Sequence, residues 1–340
     1  MKTLLVAIVG TDNFGDEAMF KAIYRKLLSR GEEIVVATYN VDEAKRRFPN
    51  VNFIKIPILS KHQYLLGLMG KNVLSIDISR FDSLYISGGG NLNSLYPLHV
   101  FNIYLMVREF RKKRKYVEFR PQSVGPFFGR TKPILEFLIK RIVKFSDKFY
   151  VREQASYEYL AKKNLKIELH RDDAWEIPAD SSISLPDGKY VGLCIRPWKR
   201  QEDLLREYMK ELVKEIEKLN YIPLFIPIAY GGSESYIDNA FLKGIVPGIF
   251  LDDLIEMDSL TPETIKGIIG RCCFTIGMSY HFNVFSLSQG VPSAAIYLDE
   301  YYKIKNLGLY KAFGNPKLVF KIPETPPSEL LRTILETSNI

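Results

Sequence analysis

Short runs of apolar and β-branched residues alternate along this chain with longer stretches in which apolar positions recur every three or four residues. The first pattern predicts strands buried on both faces and the second predicts helices that cover them, so the chain reads as parallel sheets layered with helices. Residues 4–9 read as the first strand, residues 16–30 as a helix with Ala18, Phe20, Ile23, Leu27 and Leu28 on its inner side, and residues 33–38 as the strand that completes a βαβ unit. Further strands are expected at 84–86, 117–119, 148–151 and 167–170, with helices at 100–113, 132–143 and 154–163.

Between residues 177 and 189 the composition shifts to Pro, Ser, Asp and Gly, which suits an exposed crossover. The alternation then restarts, with strands expected at 190–195, 223–226, 274–276 and 293–297 and helices at 202–219, 262–270 and 280–289. The fold class is therefore α/β, with two Rossmann-like domains facing a cleft. Residues 1–176 form the N-terminal one, 177–189 the linker and 190–340 the C-terminal one. In open sheets of this kind ligands collect at the carboxyl ends of the strands, which makes the shared cleft the default site.

Composition narrows the function. With 340 residues, 46% hydrophobic and 25% charged, the chain has ample material for a large core. It lacks any run of about 18 apolar residues and any signal-peptide pattern, so a cytoplasmic location is expected. The net charge of +8 comes mostly from lysines scattered along helices, which argues against a nucleic-acid partner. The exception is the run Arg111 to Lys115. It suits the negative end of a helix dipole, or a patch attracted to anionic lipid, at roughly 1 kcal/mol per basic residue near a charged leaflet, or to a phosphorylated carrier. Three cysteines, Cys194, Cys272 and Cys273, fit neither a disulfide framework nor a metal spacing and read as buried thiols. The dispersed His62, His99, His170 and His281 do not suggest zinc, and no metal is expected. The apolar stretch 56–76 reads as core packing or as a helix making peripheral membrane contact.

The candidate chemistry lies where strands end. Gly10 to Glu17 runs from the first strand into a helix, where backbone N–H groups attract anions or sugar hydroxyls. Its spacing matches neither GxGxxG nor a P-loop, and Asp12 or Asp16 reads equally as an N-cap. Ser87 to Asn93, with Gly88, Gly89, Gly90 and Asn91, reads as a loop whose glycines allow close approach of a ligand or of the first loop. Gln122 to Pro126 is a further turn on that edge. Arg152 closes a strand and can clamp a carboxylate or phosphate, or form an internal salt bridge to Glu153, Asp172 or Asp173. Arg196 is a second anion-clamp candidate. His281 lies in the first turn of a helix at a strand end, as phosphate ligand or general acid/base.

Taken in order, these segments resemble the polysaccharide pyruvyl transferase family, whose fold is similar to the GT-B glycosyltransferases. The markers are Gly15-Asp16-Glu17, Gly88 to Leu92, Ser123 to Pro126, Val151 to Ser156, Asp172 to Ala174, Arg196, and His281 followed by Gly290-Val291-Pro292. The resemblance spans Gly10 to about Leu309. It implies transfer of the enolpyruvyl skeleton of phosphoenolpyruvate onto two hydroxyls of one sugar in a cell-surface glycan or its lipid-linked precursor, giving a pyruvate ketal and phosphate at the inner face of the cell membrane. It implies no cofactor. Arg152 and His281 would bind the donor's carboxylate and phosphate, Arg196 would line the same cleft, and His281, Asp16 or Glu17 would shuttle protons. Gly15, Gly89, Gly90 and Asn91 would contact substrate. Ser279 stands where the family usually carries a cation, a loss worth about 1.5–3 kcal/mol unless Lys303 or Lys305 replaces it. The alternatives are a GT-B glycosyltransferase using a nucleotide sugar and a non-catalytic sugar-binding relative.

Overall fold

The computed structural model describes residues 1–56, 59–198, 200–232 and 236–338. By its contacts the chain divides into two units, Met1–Thr11 with Met19–Asp173, and Asp12–Ala18 with Ala174–Ile340.

The first unit is built on β1 (Lys2–Val6), α1 (Phe14–Leu28), β2 (Glu33–Thr38), α2 (Val41–Arg47), β3 (Phe53–Lys55), α3 (Lys61–Leu68), β4 (Ser83–Ile86), β5 (Gly89–Leu92), α4 (Pro97–Lys112), β6 (Tyr116–Val124), α5 (Lys132–Phe145), β7 (Lys148–Val151), α6 (Gln154–Ala161) and β8 (Glu168–Leu169). Its strands are parallel in the order β3-β2-β1-β4-β6-β7-β8, with β5 beside β6. The period of two along a strand decides which face each side chain enters. Leu4 and Val6 of β1 join a core with α4 and α5, while Leu5 joins Phe20, Ile23 and Leu27 of α1 on the opposite face. That two-sided burial is why the strands read as continuous apolar runs.

The second unit contains β9 (Tyr190–Cys194), α7 (Glu202–Lys218), β10 (Ile222–Phe225), β11 (Ile249–Phe250), α8 (Leu251–Leu254), α9 (Pro262–Ile269), β12 (Phe274–Gly277), α10 (Tyr280–Leu287), β13 (Ser293–Tyr297), α11 (Glu300–Phe313), β14 (Val319–Lys321) and α12 (Pro327–Ser338). Its parallel sheet has the order β11-β10-β9-β12-β13-β14.

Each sheet reverses direction once. The first grows from β1 to β2 and β3 and then resumes at β4 on the other side of β1; the second grows from β9 to β10 and β11 and resumes at β12 beside β9. A crevice opens at the strand ends where such a reversal occurs. The segments leaving β1 and β4 are the Gly10 and Ser87 loops, and those leaving β9 and β12 carry Arg196 and Ser279 to His281.

Two local expectations change: residues 122–124 are the end of β6 and not part of a turn, because they pair with β5 and β7, and the Ser87 loop is shortened. The stretch 87–93 is not all loop, because Gly89–Leu92 pairs with β6 as the short strand β5. Gly88 is explained by packing, since a Cβ there would meet Met19 Sδ of α1 at 2.9 Å. The Pro- and Ser-rich crossover is largely exposed over residues 178–189, as its composition suggests, and its start is pinned: Lys266 Nζ of α9 donates to the carbonyls of Trp175 and Ile177, each at 2.8 Å, and Asp180 N donates to Glu263 O. Burial pulls the Lys266 amine down to about 8. Within the stretch 56–76, residues 57–58 lie outside the described residues, and α3 follows with Tyr64 and Gly67 buried. Among the described residues, no helix is long and apolar enough to cross a membrane.

Candidate functional site

The site of the second unit begins with the register of two neighbouring strands. Cys194 of β9 is paired with Gly277 of β12, and Met278 N donates to Cys194 O at 2.8 Å. Arg196 and Ser279, two residues further along each strand, therefore leave the sheet side by side at the point of reversal.

Arg196 is fixed by a residue 42 positions away. Its Nε and Nη2 donate to the two carboxylate oxygens of Asp238 at 2.7 and 3.1 Å. Asp238 is itself held by Ile228 N at 3.1 Å, Ala229 N at 2.9 Å and the Cys194 thiol at 3.4 Å. Burial by itself would lower the pKa of the guanidinium, but the carboxylate outweighs it and the net direction is up. Burial, and then Asp238, push the Cys194 thiol up, so it remains a protonated donor. The Arg196 side chain keeps 26% of its surface, and among the described residues Nη1 has no hydrogen-bond partner. The result is a cation locked along one edge with the other edge able to donate to an anion.

Beside it, α10 starts at Tyr280 with Ser279 as N-cap, and Ser279 makes no side-chain cap hydrogen bond. The helix-start N–H groups are thus not satisfied by that hydroxyl, and they carry the positive end of the helix dipole. Asn283 and Asn306 fasten this corner, donating to the carbonyls of Gly277 and Met278 at 3.3 Å each.

His281 is buried, and the reason lies in Gly15. A Cβ on Gly15 would fall 2.0 Å from His281 Nδ1, so only glycine lets the imidazole lie against that backbone. The loop is held there by Phe14 N donating to Ile228 O at 3.0 Å, Tyr230 N donating to Asp12 O at 2.9 Å, and Phe14 stacked on Tyr230 at 4.1 Å. Tyr230 donates its hydroxyl to the buried Glu17 at 2.6 Å. Gly231 repeats the logic, because a Cβ there would reach 2.2 Å from Asp12 Oδ2. The apolar segment 228–231 is thus the seat of the first loop. The structure brings Gly15 against His281 and Glu17 against Tyr230; Asp16 sits half-buried in the same helical turn.

Lys303 pairs with Glu300 at 2.9 Å, one turn away on α11, and Lys305 donates to the Tyr301 hydroxyl at 2.5 Å. Trp198 stacks on Tyr301 at 5.6 Å with 9° between the planes and donates to Asp299 at 2.8 Å.

In the first unit the motif residues form one buried polar network. The Arg152 side chain is 2% exposed, with Nη1 on Asp172 Oδ2 at 2.7 Å and Nε on Ser123 Oγ at 2.8 Å. Ser123 donates to Glu153, whose carboxylate also accepts from Ser156, and Ser156 Oγ receives Val124 N at 2.7 Å. Arg120 makes a two-point pair with Asp173, at 2.9 and 2.6 Å. The internal ion pair weighed for Arg152 is therefore present. Gly89 and Gly90 lie at the start of β5, where Gly90 O accepts from Asn93 and a Cβ on Gly89 would meet nothing nearer than Gln122 Oε1 at 3.8 Å. Asn91, also in β5, is half-buried.

Reading the residues one at a time missed Asp238 and Tyr230. Asp238 has no fixed spacing from Arg196 that could announce it. Tyr230 had a signal, the apolar and aromatic run Ile228-Ala229-Tyr230 just after a strand.

Two parallel sheets, each flanked by helices, with polar groups gathered at a reversal of strand order, define a GT-B-like α/β protein. Solved structures agree on the fold. They include a proposed UDP-N-acetylglucosamine 2-epimerase from Listeria monocytogenes (13% identity, 100% of this chain and 88% of that one, TM-score 0.63), the UDP-GlcNAc 2-epimerase from Methanocaldococcus jannaschii (10%, 99% and 92%, TM-score 0.57), and the calicheamicin glycosyltransferase CalG4 (11%, 98% and 89%, TM-score 0.52). No curated protein matches the chain significantly. The family model for polysaccharide pyruvyl transferase matches residues 13–300, and the chain belongs to that family. Membership assigns it phosphoenolpyruvate-dependent pyruvyl transfer to a glycan acceptor.

Proposed function

We propose that the anionic donor is held at the reversal point of the second sheet, by Arg196 Nη1, the start of α10 and His281, and that His281 moves the protons. The observation that carries this reading is the two-point grip of Asp238 on Arg196, which leaves one donor edge directed away from the carboxylate. A cation fixed in this way gives up little side-chain freedom when the donor arrives. The positive end of the α10 dipole adds attraction for the anion and offsets the absence of a cation at Ser279.

In the proposed reaction, a proton is delivered to the methylene carbon of phosphoenolpyruvate as one acceptor hydroxyl attacks the neighbouring carbon. Phosphate then leaves, and the second hydroxyl closes the ketal. The two hydroxyl protons are accounted for: one ends in the new methyl group and one on phosphate. His281 carries the first proton, and Glu17 and Asp16 are the carboxylates of the same loop that assist. Arg152 acts as a fixed buried charge that organises the strand-end loops of the first unit. Lys303, paired with Glu300, is not needed for the grip on the donor. The enzyme would work in the cytoplasm, at the membrane face where lipid-linked saccharides are built.

The test is phosphate release from phosphoenolpyruvate across a panel of saccharides, with the product's mass gain read in parallel. Wild type should release phosphate only with an acceptor, and His281→Ala should lose about 10²-fold or more. An active His281→Ala enzyme, or hydrolysis of a nucleotide sugar in place of phosphoenolpyruvate, would reject the assignment.

A further inference from the structure

Large apolar side chains are not exposed evenly over this protein. Six of the seventeen that stand out from the surface, among the described residues, fall in the stretch 95–137 of the first unit: Leu95, Tyr96, Leu98, Phe128, Ile134 and Phe137. Leu98 is 56% exposed, Phe128 49% and Phe137 55%. They share one region for a structural reason. Ser94 Oγ donates to Phe128 O at 3.1 Å and accepts from Phe128 N at 2.9 Å, so the segment that opens α4 is tied to the segment that precedes α5. The helices α4 and α5 then pack against each other over the same face of the sheet.

The exposed charged side chains of α5 and its leading segment are all positive. Arg130, Lys132, Lys140, Arg141 and Lys144 are exposed on α5 and its leading segment. The α5 acid, Glu136, is engaged by the Tyr159 hydroxyl at 2.7 Å and lies 3.8 Å from Lys163. The inner side of α5, Leu135, Leu138, Ile139, Ile142 and Val143, is already spent on the core. Its outer side therefore carries bulky apolar groups that the fold does not use, ringed by cations, and Arg141 lies over the rings of Phe137 and Phe145 at 5.8 and 5.2 Å. Isolated exposed apolar residues need no explanation, but a gathered set with a basic fringe is the composition of a surface that sits in a lipid headgroup layer.

We infer that the outer face formed by α5, its leading segment and the start of α4 docks on an anionic lipid bilayer, with Phe128, Ile134 and Phe137 inserted among the headgroups and the surrounding cations on lipid phosphates. This deepens the membrane-side location in the proposed function and does not depend on which residue moves the protons. It also differs from the stretch 56–76 singled out from sequence.

Vesicle co-sedimentation with the full chain tests it. Phosphatidylglycerol vesicles should pull down the wild type, phosphatidylcholine vesicles should not, and added salt should release the protein. The double variant Phe128→Ser with Phe137→Ser, and separately the triple variant Arg130→Gln, Lys132→Gln, Lys140→Gln, should each bind about tenfold less or weaker. All five positions are exposed, so melting curves should match wild type. Transfer to a soluble saccharide, measured on the same preparations, should be unchanged, which keeps a failure of docking distinct from a failure of the catalytic reading. Protein left in the supernatant with anionic vesicles, equal binding to both vesicle types, or variants that bind like wild type would each overturn the inference.

Discussion

Asp238 grips Arg196 at two points, 2.7 and 3.1 Å, while the same carboxylate accepts the backbone N–H groups of Ile228 and Ala229. One buried acid thus sets the direction of a guanidinium and the position of the segment whose Tyr230 stacks on Phe14.

Breaking the pair from either side should cost stability. Asp238→Asn or Arg196→Met leaves an uncompensated charge, and a loss of about 2–4 kcal/mol is expected, somewhat below the range for fully buried pairs because Arg196 is partly exposed. The double variant should recover much of that loss in denaturant titrations yet bind phosphoenolpyruvate at least about tenfold more weakly in calorimetry. Unchanged donor affinity in the double variant would remove Arg196 from the donor site.

Gly15→Ala should act on rate more than on fold. The added methyl falls on the His281 ring, so the imidazole must shift, and a misplacement of that size costs about 10²-fold in turnover. Overpacking adds about 1–3 kcal/mol of destabilisation, readable as a lower melting temperature. An alanine variant with normal kinetics would show that the ring's position is not used.

Arg152→Leu should damage the first unit severely. It strands the Asp172 carboxylate, and the expected loss is about 3–5 kcal/mol, seen in denaturant titration or as insoluble expression. Arg152→Lys keeps the charge without the second donor to Ser123 and should fall between.

Burial holds the His99 ring down to about 4, and its Nδ1 lies 3.0 Å from the Tyr39 hydroxyl. Because the folded pKa is below the unfolded value, the unfolded chain binds the proton first. Stability should be complete above about pH 6.5 and fall as the pH is lowered towards 4, by at most about 3 kcal/mol. Histidine NMR titration should show one ring unchanged from pH 8 to 5, and His99→Phe should flatten that part of the stability profile.

The sequence discloses elements whose burial repeats along the chain and hides those that depend on distant partners. The strand at Ser293–Tyr297 shows as a short continuous run of small and apolar residues and the helix from Lys132 as an open helical period, and the structure keeps both. The strand Gly89–Leu92 has glycines at its start and exists through pairing with β6, so nothing local announces it. The short α2, β3 and β11, of seven, three and two residues, offer too little repetition to stand out, and α11 mixes tyrosines, lysines and glycine along one helix. At the site, His281 and Arg196 were legible because each sits where a strand turns into the next segment. Asp238 was not, because its meaning comes from a cation 42 residues earlier in the chain.

The second unit is discontinuous, since Asp12–Ala18 belongs with Ala174–Ile340. A fragment expressed from Ala174 onward would therefore lack the partner of Tyr230 and the glycine that His281 rests on. Such a fragment would need a synthetic peptide spanning residues 12–18, supplied in trans or fused at its terminus, before its candidate site could be studied in isolation.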